Sequence, residues 1–352
     1  MTLLLTNDDV EQVLDMPGAL AALEPVYRDL PSGRAVNRPQ SQTYLPGPLP
    51  GSSYWLKTVE GGAQSLGVVA IRLVSGVIRA ETTDGVTRRV QVPSAPGGLF
   101  LGLVLLFSLE NGILLAILPD GIIQRMRVGA SSALGTRAMA RADARTVGLI
   151  GAGAQARSQL LALAAVRELG RVRVYSPTAA RRHAFATEMA ARLGLPIEAV
   201  DDAHAAVDGA DIVLTATNSA TPVLEPDWLQ AGMHVGFIRE FEMSDAVLAR
   251  ADRVATHTHQ SDIDHYTPAG QEALAHTMRG RGIRWGDYPD LAALLVGQVP
   301  GRERPEELTV FMNNFGVGIQ FAALGARAYQ GARDRGLGRE LPDDWFLEAI
   351  QP

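Results

Sequence analysis

The sequence of 352 residues contains no cysteine and a single lysine, Lys57, beside 31 arginines. The absence of cysteine excludes disulfides, thiolate catalysis, cysteine-ligated zinc and iron–sulfur clusters. An arginine side chain stays protonated and cannot transfer a proton, whereas a lysine side chain can. Lys57 is therefore the first candidate for a residue with a chemical role; the alternative is that one lysine remains by chance.

An excess of positive charge is also absent, since the net charge of −6 gives no basis for binding nucleic acid or an anionic membrane. The most apolar stretch, residues 99–118, is interrupted by Ser108, Glu110, Asn111 and Gly112 and is too short to span a bilayer. The first residues are acidic after a very short apolar start, unlike a signal peptide. These features predict a soluble, globular, cytoplasmic protein.

Helix and strand patterns are mixed in the first third of the chain. Residues 17–30 have the pattern of a helix, and Thr6 or Asn7 can cap a shorter helix before it. A stretch rich in proline, glycine and serine at residues 31–53 is interpreted as an ordered loop. Apolar runs typical of strands follow at residues 54–58, 67–74, 99–107 and 113–118.

Two turn signals lie between these strand patterns. Asn111-Gly112 separates two apolar runs, which is typical of a hairpin. Asp84-Gly85 lies in a largely polar segment, residues 75–98, which we interpret as a second hairpin or as an excursion from the sheet.

After about residue 120, short apolar runs alternate with helical patterns. Such alternation predicts an α/β protein with a doubly wound parallel sheet of the Rossmann type. We place this Rossmann NAD(P)-binding domain at residues 124–313. Residues 1–123 and 314–352 form a second, mixed α+β domain for substrate binding and dimerisation, which includes a returning helix at about residues 317–335.

The strand pattern at residues 146–150 leads into a glycine-rich turn and then a helix. Gly151, Gly153 and Ala156 form the pattern GxGxxA. Gly151 permits the tight turn, Gly153 lets the backbone approach a pyrophosphate, and Ala156 allows close packing of helix on strand. The phosphates would face free N–H groups at the helix N-terminus. In this context the motif predicts dinucleotide binding; a glycine-rich turn in an unrelated α/β protein is the alternative.

The residues after the second strand of this unit select the cofactor. NAD-dependent enzymes usually have an acidic residue there, which binds the ribose 2′-hydroxyl, and this chain has none. Ser176 and Thr178 can donate hydrogen bonds, and Arg181 or Arg182 can pair with a 2′-phosphate. The sequence therefore favours NADP, with NAD left open and solvated arginines as the alternative interpretation.

Thr217 and Asn218 follow another strand pattern, at residues 212–216. The carboxyl ends of the strands are where open α/β sheets bind ligands. Both residues are therefore candidates for contacts with the nicotinamide half of the cofactor, with ordinary turn chemistry as the alternative.

Three histidines and two aspartates lie close together in the sequence: His257, His259, Asp262, Asp264 and His265. Histidine and carboxylate side chains are common metal ligands. The spacing matches no standard metal site, however, and polar loops often have this composition. We therefore predict that no metal is bound.

These features together resemble the ornithine cyclodeaminase/μ-crystallin family over nearly the whole chain. The resemblance rests on the GAGAQA turn at residues 151–156, the TATNS segment at residues 215–219, the arginine-containing helix before the Rossmann unit, and the C-terminal helix. It implies an NAD(P)-dependent protein that acts on a small amino or imino acid and forms a homodimer through the non-Rossmann domain.

The resemblance also implies roles for three residues of the substrate site. Arg38 and Arg127 correspond to the family arginines that bind the substrate carboxylate, for which the guanidinium fork is well suited. Lys57 corresponds to the active-site lysine of the family. We expect it to supply a proton to the reacting nitrogen or to hydrogen-bond near it.

Three further residues are implied as cofactor contacts. Ala154 and Gln155 match the pair that contacts the phosphates at the start of the helix. Asn314 falls where the family has a polar residue near the nicotinamide.

Two departures from the family pattern bear on the reaction. Ornithine cyclodeaminases use an aspartate as a base soon after the strand that corresponds to residues 234–238. This chain has Glu240 and Glu242 in a shorter loop, and Gln320 stands where many members have an acid. We therefore predict reduction of an α-imino acid, or oxidation of the corresponding α-amino acid. The alternatives are an ornithine cyclodeaminase and a non-catalytic, NADPH-binding crystallin-like protein.

Overall fold

The computed structural model describes residues 1–83, 86–259, 263–271, 282–313 and 315–349. The Asp84-Gly85 turn signal, Asp262 and Asn314 lie outside the described residues. Within the described ranges, no helix is both long enough and apolar enough to cross a membrane.

The described helices are α1 (Asn7–Val13), α2 (Met16–Asp29), α3 (Gly121–Met139), α4 (Ala154–Val166), α5 (Ala179–Leu193), α6 (Ala203–Val207), α7 (Asp245–Arg250), α8 (Leu291–Leu295) and α9 (Gly318–Arg335). The described strands are β1 (Thr2–Leu4), β2 (Ala35–Asn37), β3 (Gln40–Pro46), β4 (Ser52–Ala63), β5 (Val68–Thr83), β6 (Val86–Val92), β7 (Leu101–Ser108), β8 (Leu114–Pro119), β9 (Thr146–Ile150), β10 (Arg171–Tyr175), β11 (Ile197–Ala199), β12 (Ile212–Thr215), β13 (His234–Phe237), β14 (Arg253–Thr256), β15 (Ile263–Tyr266), β16 (Thr309–Met312) and β17 (Arg339–Leu341).

The first sheet is mixed, with the strand order β15-β3-β4-β5-β7-β8-β1-β17, while β2 pairs with β4 and β6 pairs with β5. Its central strands β4, β5, β7 and β8 pair with one another in antiparallel fashion, whereas β8 is parallel to β1. Strand β15 pairs with β3 in this sheet, although its residues belong to the segment that the sequence assigns to the Rossmann domain. The domain boundaries themselves stay a prediction.

One face of the first sheet is buried and the other is partly exposed. Along β7, Val104 and Leu106 are fully buried, whereas Leu103, Leu105 and Phe107 keep some exposure. Successive side chains of a strand point to opposite faces, so this alternation marks an inner and an outer face. Helix α9 packs with β4, β5 and β7 of this sheet and with α2.

Helix α9 begins in very close contact with β4. A Cβ atom at Gly318 would lie 1.9 Å from the carbonyl carbon of Glu60, so only glycine permits this approach. Asn37 at the end of β2 accepts a hydrogen bond from the Ile319 N–H at 2.9 Å, which satisfies a free donor of the first helical turn. The helix ends at Gly336, which has the left-handed conformation typical of a helix C-terminus.

The second sheet consists of seven parallel strands in the order β11-β10-β9-β12-β13-β16-β14. Apolar side chains cover both faces: Ile212 and Leu214 belong to one core and Val213 to the other. Strands buried on both faces are typical of parallel sheets covered by helices. The predicted Rossmann sheet beside a second, mixed α+β part is confirmed.

Two predictions about the first sheet have different outcomes. The hairpin at Asn111-Gly112 is confirmed, since β7 and β8 pair antiparallel around it and Gly112 has a φ of 75°. The ordered loop at residues 31–53 is wrong, because β2 and β3 lie within it. Both strands are held by pairing with β4, a long-range contact that local composition does not report.

Candidate active site

The glycine-rich turn after β9 has the geometry that a phosphate cradle requires. Gly151 has a φ of 119°, and a Cβ atom there would lie 2.2 Å from the Ala216 carbonyl oxygen. A Cβ atom at Gly153 would meet nothing within 4 Å, so open space lies in front of this residue. No side chain caps α4, which leaves the first N–H groups of the helix for an anion. Ala154 and Gln155 form this first turn.

The two arginines after β10 have different surroundings. Arg182 is buried, donates to the Ser176 carbonyl oxygen at 3.2 Å and pairs with Asp201. Arg181 is exposed one position earlier, beside Thr178, the residue that precedes α5. Arg181 is therefore the arginine whose guanidinium lies at the surface, where a 2′-phosphate could reach it.

Glu242 holds the segment that contains Thr217 and Asn218. Its carboxylate is fully buried and accepts from the Thr215 hydroxyl at 3.0 Å, the Arg239 N–H at 3.2 Å and the Thr217 N–H. Burial raises the pKa of Glu242 more than these hydrogen bonds lower it. Thr217 is partly buried and Asn218 is exposed at the carboxyl edge of the sheet.

Glu240 also faces the interior. It is 8% exposed and accepts a hydrogen bond from the indole N–H of Trp285, which is fully buried. The sequence left open whether Glu240 or Glu242 replaces the aspartate base of the cyclodeaminases. In the structure both carboxylates brace loops of the Rossmann part.

Arg127 lies on α3 and is buried. Its guanidinium donates to the side-chain oxygens of Gln124 at 3.1 Å and Gln320 at 3.3 Å and to the Phe315 carbonyl oxygen at 3.5 Å, all neutral acceptors. Among the described residues, its Nη2 donates to no group. A Cβ atom at Gly316 would lie 3.0 Å from this Nη2, so the guanidinium packs tightly against the glycine. Burial, followed by the charge of Arg72, lowers the pKa of Arg127 to about 9.

Arg72 on β5 is a member of this site that the sequence analysis did not identify. Its Nε donates to Asp120 at 2.7 Å, and its guanidinium carbon lies 4.8 Å from the centre of the Phe321 ring. The guanidinium carbon of Arg127 lies 5.7 Å from the same centre. The alternation of the strand pattern could have indicated Arg72, because it lies between the buried Ala70 and Val74.

Lys57 lies on β4, on the same face of the sheet as Arg72. It is half-buried and stands opposite Gln42 of β3 and Val74 of β5, whereas Arg72 stands opposite Val59. Lys57 and Arg72 are therefore diagonal neighbours, which places their Cβ atoms roughly 7 Å apart. The structure thus brings Lys57, Arg72 and Arg127 to one region.

A chain of hydrogen bonds links the strand beside Lys57 to the loop beside Arg127. Tyr44 and Trp55 donate to the side-chain oxygen of Gln42 at 2.6 and 2.9 Å. Gln40, two residues earlier on β3, donates to the Gly316 carbonyl oxygen at 2.7 Å. The sequence analysis did not identify these glutamines, which lie in the segment interpreted as a loop.

Arg38 is not brought to Arg127. It is exposed, and its Nη1 lies 3.0 Å from both carboxylate oxygens of Glu60. Glu60 is three positions from Lys57 on the regular strand β4, so its side chain points to the opposite face. The role of Arg38 in carboxylate binding stays a prediction, because its guanidinium pairs on the outer side of the sheet.

The residues around the predicted Asn314 are described although Asn314 itself is not. Asn313 is buried and donates to the Val128 carbonyl oxygen at 2.9 Å and to the Ser132 hydroxyl at 3.0 Å. The end of β16 is thereby attached to α3 directly below Arg127. This contact fixes the chain at the end of β16.

The histidine-rich segment shows no metal site in the part of the chain that the structure describes. His259 lies 2.7 Å from the Tyr288 carbonyl oxygen, and the His265 ring packs against Tyr44 with 5.9 Å between centroids. His257 is buried.

The fold and the site define a class: a Rossmann dinucleotide-binding protein whose cofactor edge adjoins a cluster of buried and half-buried cationic side chains. The family can be named as well. The model of the ornithine cyclodeaminase/μ-crystallin family matches residues 99–334, and the chain belongs to this family. The resemblance predicted from the sequence is confirmed.

Three relatives show the range of similarity. A Rhizobium meliloti protein with a provisional dehydrogenase name is 34% identical over 238 residues, which cover 65% of this chain and 69% of that protein. Δ1-Pyrroline-2-carboxylate reductase of Bacillus cereus is 29% identical over 245 residues, 68% of this chain and 74% of that enzyme. Iminosuccinate reductase of Paracoccus denitrificans is 28% identical over 247 residues, 68% of this chain and 72% of that enzyme.

Solved structures match over nearly the whole chain. Δ1-Pyrroline-2-carboxylate reductase of Thermococcus litoralis, in complex with NADH and L-proline, has a TM-score of 0.78 and 26% identity, covering 97% of this chain and 100% of that one. An archaeal alanine dehydrogenase dimer with bound NAD has the same fold, with a TM-score of 0.76 and 23% identity, covering 97% of this chain and 99% of that one.

Proposed function

We propose that the protein is an NAD(P)-dependent reductase of α-imino acids, which in the reverse direction oxidises the corresponding α-amino acids. The observation that carries this proposal is the buried guanidinium of Arg127 beside the carboxyl edge of the Rossmann sheet. Its described partners are all neutral acceptors. A buried cation in such surroundings favours an anionic ligand. Relatives that reduce cyclic and linear imino acids support the same reaction.

The residues of this chain would divide the reaction between them. A bound nicotinamide supplies the hydride to the imine carbon, or accepts it in the reverse direction. Arg127 holds the substrate carboxylate and so orients the C=N bond. Lys57 gives a proton to the imine nitrogen, which completes the conversion to an amine. Arg38 would contribute to carboxylate binding only by leaving Glu60, which makes Arg127 the principal anchor.

The proposed cofactor is NADP, with NAD as the alternative. The phosphate turn with Gly151, Gly153, Ala154 and Gln155 suits either dinucleotide. Relatives of the same fold bind NAD(H). The absence of an acidic residue after β10 and the exposed guanidinium of Arg181 support a 2′-phosphate. We expect the Arg181→Ala variant to lose affinity for NADPH but not for NADH; equal losses would refute the preference.

Thr178, Ser176, Thr217 and Asn218 complete the proposed cofactor site. Ser176 and Thr178 lie where the ribose would bind. Thr217 and Asn218 lie at the carboxyl edge of β12, where the nicotinamide half would bind. Asn314 is proposed for the same half on the resemblance alone.

An assay panel separates this function from the alternatives. NADPH and NADH oxidation would be followed with Δ1-pyrroline-2-carboxylate, with pyruvate plus methylamine, and with oxaloacetate plus ammonia. Ornithine would be tested separately for ammonia release. Reduction of at least one imine supports the proposal. Ammonia release from ornithine without net change in the cofactor would instead show a cyclodeaminase, and cofactor binding without any turnover a crystallin-like protein.

A homodimer is the second part of the proposal. The outer face of the first sheet carries the partly exposed apolar residues Ile71, Leu73, Leu103, Leu105 and Phe107. A contiguous apolar face of this kind typically marks an interaction surface, and a second copy of the chain would cover it. Light scattering should show a dimer for the wild type and a monomer for Leu105→Glu. A monomeric wild type would refute this assembly.

A further inference from the structure

Arg72 lies on β5, the strand that continues into the polar segment at residues 75–98. It stands opposite Val59 of β4 and Val104 of β7, which are both buried. Its side chain therefore points into the layer between the first sheet and α9, and the residue is only 8% exposed. A buried arginine is retained only where partners compensate for the loss of solvation.

Two partners fix the Arg72 guanidinium. One is Asp120, at the end of β8, which accepts from Nε at 2.7 Å. Its carboxylate occupies the space beside Gly102, where a Cβ atom would lie 2.1 Å from Oδ1. The other is the ring of Phe321 on α9, whose centre is 4.8 Å from the guanidinium carbon. The face of an aromatic ring attracts a cation, so the ring is held by Arg72.

The same ring lies beside Arg127. The Arg127 guanidinium carbon is 5.7 Å from the ring centre, and the ring is fully buried. The three charged groups Arg72, Arg127 and Asp120 leave a net positive charge in this layer. That excess suits a bound anion.

We infer that Arg72 is a positioning residue for carboxylate recognition: anchored on Asp120, it holds the Phe321 ring against Arg127 and adds positive charge to the pocket. The inference rests on the proposed function, since it takes Arg127 as the residue that meets the substrate carboxylate.

Steady-state kinetics with the imino acid found in the assay panel test the inference. We expect Arg72→Met to raise KM for the imino acid about tenfold, with kcat and the KM for NADPH changed less than about twofold. Arg72→Lys keeps the charge but not the planar group, and should give a smaller rise. Arg79→Met is the matched control, because Arg79 lies on the same strand in a half-exposed pair with Glu81. An unchanged KM in Arg72→Met, or an equal rise in Arg79→Met, would overturn the inference.

A double-mutant cycle shows whether Arg72 acts through the ring. If it does, the effect of Arg72→Met on KM should be much smaller in a Phe321→Leu background. Fully additive effects would overturn this route. Thermal melting identifies variants that fail to fold. If Arg72→Met is among them, the same cycle with Arg72→Lys decides the question.

Direct binding separates this inference from the proposed function. Pyrrole-2-carboxylate is a planar carboxylate that is not reduced, and its affinity for the protein saturated with NADPH can be measured by calorimetry. Weaker binding in Arg72→Met than in Arg79→Met supports the role of Arg72 even if the wild type reduces no imino acid. Equal affinities in the two variants would overturn the inference even if the wild type is an active reductase.

Discussion

Two buried charges flank the candidate site, and their surroundings differ. Glu242, on the Rossmann side, has both carboxylate oxygens occupied by donors from two loops. Arg127, on the side of the first sheet, has neutral acceptors at Nε and Nη1, while Nη2 adjoins Gly316. A buried charged group whose hydrogen-bond partners are all supplied by the protein stabilises the segments that it connects. One whose partners among the described residues are all neutral is suited to bind an anionic ligand.

The comparison is tested most strongly at Arg127. We expect Arg127→Met to lower kcat/KM for the imino acid about 1000-fold, because the substrate carboxylate loses its charged partner. Cofactor binding, measured by fluorescence titration with NADPH, should stay within about twofold of the wild type. Arg125→Met is the control, since Arg125 is exposed on the same helix. Comparable losses in both variants would remove Arg127 from the site.

Lys57→Arg keeps the charge and removes the titratable proton. We expect kcat to fall about 100-fold while KM for the imino acid changes little, because proton donation and carboxylate binding are separate tasks. Full turnover in this variant would show that Lys57 does not transfer the proton. The pH profile of the residual activity should lose any limb that belongs to Lys57.

The Gln320→Glu substitution would give the Arg127 guanidinium a negatively charged partner within the protein. The new carboxylate would stand where the Gln320 oxygen now lies, 3.3 Å from the Arg127 Nη1, and would compete with the substrate. We expect KM for the imino acid to rise about 30-fold. The exposed Gln330 on the same helix provides the control variant Gln330→Glu. If the two variants bind substrate equally well, the neutrality of Gln320 is not what keeps Arg127 available.

The Glu242→Gln substitution tests whether Glu242 stabilises the segment that contains Thr217 and Asn218. We expect the KM for NADPH to rise about fivefold with the imino acid KM unchanged, because the segment with Thr217 and Asn218 loses its anchor. The raised pKa of Glu242 means that its carboxylate takes up a proton above the ordinary pH range of a glutamate. Cofactor affinity of the wild type should therefore fall in mild acid, while that of Glu242→Gln should not. An exposed substitution, Glu225→Gln, should behave as wild type.

The smallest effect is expected at Arg38. Its exposed pair with Glu60 contributes little to stability, and its side chain lies on the outer face of the sheet. Arg38→Gln should change KM for the imino acid less than about threefold. A loss comparable to that of Arg127→Met would show that Arg38 leaves Glu60 to bind the carboxylate, as the family resemblance predicts.

The two halves of the chain were not equally predictable from sequence. The Rossmann strands are buried on both faces, so their continuous apolar runs and the turn at Gly151 give clear signals. Strand β3 gives none, because its buried positions include the polar residues Gln40 and Gln42 and because it depends on β4 for its pairing. Its polar and proline-rich neighbourhood therefore looked like a loop.

The candidate site was predictable in part for a different reason. A motif gives a residue its position along the chain but not its side of a sheet. Arg127 and Lys57 lie in one region of the structure, whereas Arg38 pairs on the other face, and this depends on the strand register around Glu60. Arg72 belongs to no motif, and only the alternation of buried residues along β5 indicates that its side chain points inward.

The central position of β5 also restricts how this protein can change over evolutionary time. Because side chains alternate along a strand, inserting or deleting one residue between Val68 and Arg72 would turn Arg72 to the outer face and bring a neighbour inward. Length changes within this stretch should therefore be tolerated only in steps of two residues. Single substitutions at the inward-facing positions of β5, by contrast, can change the substrate preference without affecting the cofactor site of the Rossmann part. Sequences of related proteins would show this bias as a preserved spacing between Lys57 and Arg72.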